Sequence, residues 1–333
     1  MSSTTLPVRS GEGLVAAEAP RQPGGPGSAD GSRSRPRKKR NFTPLWLLSP
    51  AALVLLTLTV APIVLLVFLS LTNYDRRSLF TGEFAGVGLS QYVSIFKDPD
   101  FLWALVRTVL FATALVSGSV LIGMGISELL TRLGAVMRTV VTVVLIFAWA
   151  VPNVASPLVW DWLFQPGYGV VNWLLTQTHV FGDLTNVSWA QDPALAYVSI
   201  WLLIVWQAVP FIALTLNAAQ TQVPAEYLEA ARLDGASEWA IYWKVTIHFL
   251  KPTLLLITVL SVIWDFNVFN QIWLVSQGGP DNATSTLGIW TYKTAFVGFH
   301  LGEGAAIAVV TTVLLMAFTA YCIRNLVRSG EDL

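Results

Sequence analysis

Five side chains in one short apolar stretch, VIWDFNVFNQIW, have the types that binding chemistry needs: Trp264, Asp265, Asn267, Asn270 and Gln271. Amide groups both donate and accept hydrogen bonds, which suits a ligand rich in hydroxyls, and an indole face covers apolar C–H surface. On a continuous helix Trp264, Asn267, Asn270 and Gln271 share one face, while Asp265 falls nearer Phe269 and Ile272. An unpaired charge at mid-membrane costs about 2.5–3.5 kcal/mol on insertion scales, so Asp265 is expected to pair or to face water. The same polar groups serve equally well as hydrogen bonds between packed helices. Gln207 and Asn153 are weaker candidates of the same kind, and Pro152, Pro157 and Pro210 are candidate bends that free carbonyls. Asp265 as an acid–base catalyst would need a second such group or metal ligands close by, and the sequence supplies none.

A second constellation suits docking rather than catalysis. The stretch TQVPAEYLEAARLDGASEWAIYWKVTIHFLKP, Thr221 to Pro252, is a polar island between apolar segments. Pro224 fits a helix start, and Glu226 and Glu229 favour the positive end of that helix. Ala230 and Ala231 offer a smooth surface for close approach. Beyond Asp234, Gly235 breaks the helix and Ser237 caps another.

These stretches sit in a membrane chain. Hydrophobic residues make up 54% of the 333 and charged residues 12%, against about 25% charged in a soluble domain. The formal net charge is zero, and the single cysteine, Cys322, excludes internal disulfides. The histidines, His179, His248 and His300, have no metal-ligand spacing, so no metal site is expected. Crossing a bilayer takes about 20 apolar residues. Six such spans are expected, at about Leu45–Leu71, Trp103–Leu130, Val136–Val159, Leu195–Leu216, Leu250–Val275 and Ala305–Val327. The fold class is therefore an all-α polytopic membrane protein.

Basic residues set the orientation. Arg33, Arg35, Arg37, Lys38, Lys39 and Arg40 precede the first span; Arg132, Arg138, Arg232, Lys244 and Lys251 lie in the even-numbered loops, and Arg324 and Arg328 follow the last span. The loop carrying Asp161, Asp183 and Asp192 has no Lys or Arg, although Arg76, Arg77 and Lys97 run against the trend in the first loop. Both termini and the polar island are expected to be cytoplasmic, and the basic run reads as a topology signal, not a nucleic-acid patch. Residues 1 to about 41, rich in Gly, Pro, Ser and Arg, are expected to be a disordered basic tail, with a membrane domain from 42 to 333. Glu128 and Arg132 are spaced for a local ion pair, Arg107 for snorkelling, and Trp103, Trp160, Trp162 and Trp201 for interface belts.

The island resembles the cytoplasmic EAA loop of ABC-importer permeases, whose pattern is E-A-A, three residues, G, nine residues, I-x-L-P. Here it reads Glu229-Ala230-Ala231, Gly235, then Val245, Ile247 and His248. His248 replaces the usual proline, and Pro252 is placed to make a similar break four residues later. The strings LSPAALVLL, LTNYD, WQAVPF, QGGPDNATSTL and YKTAF extend the resemblance from about Leu45 onward, to carbohydrate permeases of the maltose and glycerol-phosphate type. It implies a type I importer permease in the plasma or inner membrane, translocating a sugar delivered by an extracytoplasmic binding protein. It also implies a second permease as heterodimer partner, and two cytoplasmic ATPase subunits that hold ATP and Mg²⁺. Glu226, Glu229, Ala230, Ala231, Asp234 and Gly235 would form the ATPase-coupling loop. No G-x-x-x-x-G-K-[ST] occurs in this chain, so no ATPase activity and no cofactor are expected here. An ion-coupled secondary transporter of a small polar solute is the alternative; it leaves the island without a role.

Overall fold

The computed structural model describes residues 43–331, so the N-terminal tail lies outside the described residues. The first span is α1 (Thr43–Leu55), a π turn at Leu56–Val60 and α2 (Ala61–Ser70). Two short helices, α3 (Arg76–Thr81) and α4 (Ser90–Lys97), lead to α5 (Pro99–Arg132). Next come α6 (Ala135–Ala150), α7 (Ala155–Leu163), α8 (Val170–Gln177) and α9 (Pro193–Gln220). The polar island forms α10 (Ala225–Leu233) and α11 (Glu238–Ile241), which a π turn at Tyr242–Thr246 joins to α12 (Ile247–Phe266). The chain ends in α13 (Asn270–Ser276), α14 (Leu287–Tyr292), a π turn at Lys293–Val297 and α15 (Leu301–Glu331).

Among the described residues, five helices are long and apolar enough to cross a membrane, or six spans if α6 and α7 count as one. Two expected spans are not continuous. The third bends by 104° between α6 and α7. Its cause is local: Pro152 drives the preceding residue out of the helical region, and Val151 is extended at φ −66°, ψ 126°. The fifth span starts earlier than expected, at Glu238, and stops at Phe266 before restarting as α13. Pro210 and Pro252, by contrast, sit inside α9 and α12 without ending them. The break expected at Pro252 is therefore absent.

The packing within Leu53–Leu333 is organised around α5 and α9, the most extensive helix pair. Phe111 and Leu115 of α5 meet Ile200, Ile204 and Val209 of α9, with Ile272 of α13 against them. Toward the island, Met124, Ile212, Leu216, Tyr242 and Ile257 form a second cluster. At the far end of α5, Phe101 and Ala104 pack with Leu287, Ala306 and Ile307. Small residues set the α5–α9 spacing: a Cβ on Gly123 would stand 2.5 Å from Ile212 Cγ2, and one on Gly118 would collide with the Trp201 ring. Buried Ser127 donates to Gln220 Oε1 at 3.0 Å, closing the same interface near the island.

Gly125, two residues along, has nothing within 4 Å of such a Cβ. Replacing Gly123 with leucine therefore overpacks the interface at about 1–3 kcal/mol, whereas Gly125→Leu leaves stability near wild type. Thermal unfolding of the solubilised protein checks this; equal melting temperatures for the two variants would contradict the close approach.

Candidate functional site

The site begins where α12 ends. The Asn267 amide N–H bonds back to Trp264 O at 3.1 Å, and its side-chain Nδ2 donates to Ile263 O at 2.8 Å. The side chain thus satisfies a carbonyl that the lost helix leaves free. Helix resumes only at Asn270, after Phe269 at φ −125°, ψ −57°. Irregular backbone at membrane depth persists only where protein buries it or where it lines a water-filled cavity.

A cavity of about 520 Å³ opens at this break. Trp264, Asp265, Asn267, Asn270 and Gln271 all line it, facing Trp149, Asn153, Gln207 and Phe211 from α6, the α6–α7 turn and α9. The placement of Asp265 on a separate face is corrected: a helical face requires an unbroken helix, and the helix stops at Phe266. Asp265 is 8% exposed and its Oδ2 has no hydrogen-bond partner. Trp264, Asn267 and Asn270 are exposed.

Gln271 is the end of a hydrogen-bonded chain of side chains. Its Nε2 donates to Gln207 Oε1 at 3.2 Å, and Gln207 Nε2 donates in turn to Ser156 Oγ at 2.7 Å and Asn153 Oδ1 at 3.3 Å. This chain ties α13 to α9 and to the break before α7, so at Gln271 the helix-linking and cavity-lining readings coincide. An aromatic wall completes the cavity. Trp149 stacks on Phe211 at 6.3 Å between centroids, and Phe211 meets Trp264 edge-on at 5.3 Å. Trp149 and Phe211 carry no signal in the sequence, because they are far apart along the chain and their contact comes from the packing of α6 on α9. None of the lining side chains is basic. Among the described residues no three His, Cys, Asp or Glu side chains gather as a metal site.

The island is built as its residues dictate. After α10, Ala236 N–H bonds to Ala231 O and Gly235 N–H to Arg232 O, each at 3.0 Å, with Gly235 at φ +78°. This is a Schellman stop, which favours glycine at the left-handed position. Ser237 accepts from Ala240 N and caps α11. Arg232 and Glu238 brace the bend at 2.9 Å, and that hydrogen bond raises the Arg232 guanidinium above its ordinary pKa. Glu226, Glu229, Ala230, Asp234 and Gly235 are exposed and Ala231 is half-buried.

Other expectations fare unevenly. Glu128 and Arg132 do pair, at 2.8 Å. Arg107 does not simply snorkel: its Nη1 donates to Asn282 O at 2.9 Å. Trp160 and Trp201 are not simply interface belts, since their Nε1 groups donate to Ser199 O at 3.1 Å and Ala114 O at 2.9 Å.

Residues 119–330 match the family described as the binding-protein-dependent transport system inner membrane component. The chain is 37% identical to a diacetylchitobiose uptake system permease protein of Streptomyces coelicolor, covering 92% of this chain and 93% of that one. It is 31% identical to a sulfoquinovosyl glycerol transport system permease protein of Agrobacterium fabrum, over 84% and 88%. With a trehalose/maltose transport system permease protein of Thermococcus litoralis it shares 30%, over 81% and 88%. A bacterial ABC transporter structure involved in alginate import has the same fold, with a TM-score of 0.73 at 16% identity, over 87% of this chain and 96% of that chain. The chain belongs to the binding-protein-dependent inner-membrane permeases, as a multi-pass component of an ABC importer.

Proposed function

We propose that this permease passes a saccharide through the cavity at the break in its fifth span, driven by ATPase subunits docked on the island. The observation that carries the reading is the cavity wall. It combines a buried carboxylate whose Oδ2 has no hydrogen-bond partner, exposed amides and an indole, without a basic side chain. Such a wall offers many acceptors and donors to hydroxyls and an apolar face to C–H surface. Relatives named for diacetylchitobiose, sulfoquinovosyl glycerol and trehalose/maltose support the substrate class. A second permease supplies the other half of the path, and a binding protein delivers the sugar. The island and both termini are cytoplasmic, as the basic residues indicate. Glu226, Glu229, Ala230, Ala231, Asp234 and Gly235 form the ATPase contact, and the α11–α12 connection carries its movement to Trp264 and Asp265.

Two tests use the whole importer in proteoliposomes. Trp264→Ala and Asn270→Ala are expected to lower sugar uptake per assembled complex about ten-fold, the effect of one or two lost hydrogen bonds or packing contacts at about 1–3 kcal/mol each. Basal ATP hydrolysis should stay unchanged; normal uptake per complex would place the sugar elsewhere. For the island, Gly235→Asn keeps coupling because Asn tolerates the left-handed region, whereas Gly235→Val abolishes it. A Cβ here meets nothing within 4 Å, so backbone conformation alone separates the two. Equal uptake by both would contradict the coupling role of this bend.

A further inference from the structure

A second concavity shares no residue with the sugar cavity. It lies between α5 and α9, has a volume of about 460 Å³, and is walled by Arg107, Leu110, Phe111, Ala114, Tyr197, Val198 and Trp201. Phe111 and Tyr197 pack at 5.0 Å to form its floor, and Trp201, fixed to Ala114 O at 2.9 Å, stands at its inner end. Leu110 is 66% exposed and Val198 46%, so the groove opens sideways.

Its only charge is at one end. Arg107 donates a single hydrogen bond, to the Asn282 carbonyl, and forms no ion pair among the described residues. Lys293 reaches the same residue, donating to Asn282 Oδ1 at 2.8 Å, and has no acidic partner among the described residues. The neighbouring Asp281 is exposed and pairs with neither. The Tyr197 hydroxyl donates to Ala283 O at 2.7 Å, so the one donor it carries is used within the protein, and Arg107 remains the cationic residue lining the groove.

Depth decides what fits. The 34 residues of α5 span about 51 Å, against a hydrocarbon core of about 30 Å. A centred helix therefore leaves about 10 Å beyond the core at each end. Arg107 lies about 12 Å from the Pro99 end, so its stem reaches the headgroup level. Leu110, Ala114 and Trp201 lie deeper. A cation at the interface above an apolar trough is complementary to one amphiphile, a phosphate carrying an acyl chain. With two cations around Asn282 and no paired acid, a headgroup of net negative charge fits best.

We infer that the α5–α9 groove binds an anionic phospholipid of the leaflet opposite the island, its phosphate on Arg107 and one acyl chain along Leu110, Ala114 and Val198. This site is independent of the sugar cavity and of what that cavity carries.

The test uses the complete importer in phosphatidylcholine nanodiscs doped with phosphatidylglycerol bearing a photoreactive acyl chain. Illumination followed by peptide mapping should label α5 and α9 around Leu110 and Val198 at least three-fold more than photoreactive phosphatidylcholine at equal share. Arg107→Gln should bring the two lipids to equal labelling. Leu110→Trp fills the trough, leaves the Arg107–Asn282 bond intact, and should reduce labelling by both; it carries the test if Arg107→Gln fails to assemble. Equal labelling by the two lipids in the wild type, or unchanged labelling in an assembled variant, would overturn the proposal. So would groove residues that label with neither lipid and cross-link instead to the second permease.

Discussion

Hydrocarbon offers no hydrogen bonds, so a membrane helix can stop inside the bilayer only where something else satisfies its backbone. This chain stops twice, before α7 at Pro152 and after α12 at Phe266, and the two breaks meet. Side chains supply what the backbone loses: Asn267 bonds the Ile263 carbonyl, and the Gln271–Gln207–Ser156 chain holds the broken segments together. The cavity is the space these interruptions leave. Its polar character follows from them, because amides that stabilise a break also face whatever fills it.

The remaining architecture supports that arrangement. The α5–α9 pair, closely packed through Gly118 and Gly123, forms a frame on which both broken spans pack, α7 and α13 also touching each other. The segment Glu238–Phe266 runs unbroken from the island to the cavity edge. At its start the π turn at Tyr242–Thr246 inserts one looser turn where α11 joins α12, a geometry often found at functional positions in helices. Tyr242 packs against Met124 of α5 there, so movement of the island bears directly on the frame. A push on α10 and α11 therefore has a continuous helical route to Trp264 and Asp265.

How much of this was legible depended on range. Features set by a few neighbouring residues came through: the Gly235 stop, the Ser237 cap and the Glu128–Arg132 pair. The break at Asn267 did not. An apolar run interrupted by Asp and Asn still has helical periodicity, and only its surroundings decide whether the backbone may leave the helix. The face assigned to Asp265 failed for that reason. Trp149 and Phe211 were invisible because they lie far apart in sequence and meet only where α6 packs on α9. Of the prolines, Pro152 bends its span as expected, whereas Pro252 does not make the break expected of it. Pro152 ends a helix because the residue before it is free to extend, while Pro210 and Pro252 are held within helices packed on their neighbours.

The central claim is that the fifth-span break lines a water-filled path open to substrate, and cysteine accessibility measures it directly. In a Cys322→Ser background, cysteine at Asn267 is expected to react with a small membrane-impermeant thiol reagent in the assembled importer. The transported sugar, with its binding protein and ATP, should slow that reaction. A cysteine at Ile257, buried between α12 and its neighbours, should stay unreactive. An Asn267 cysteine as inert as the Ile257 one would mean that the break is dry and serves only to pack helices, contradicting the account.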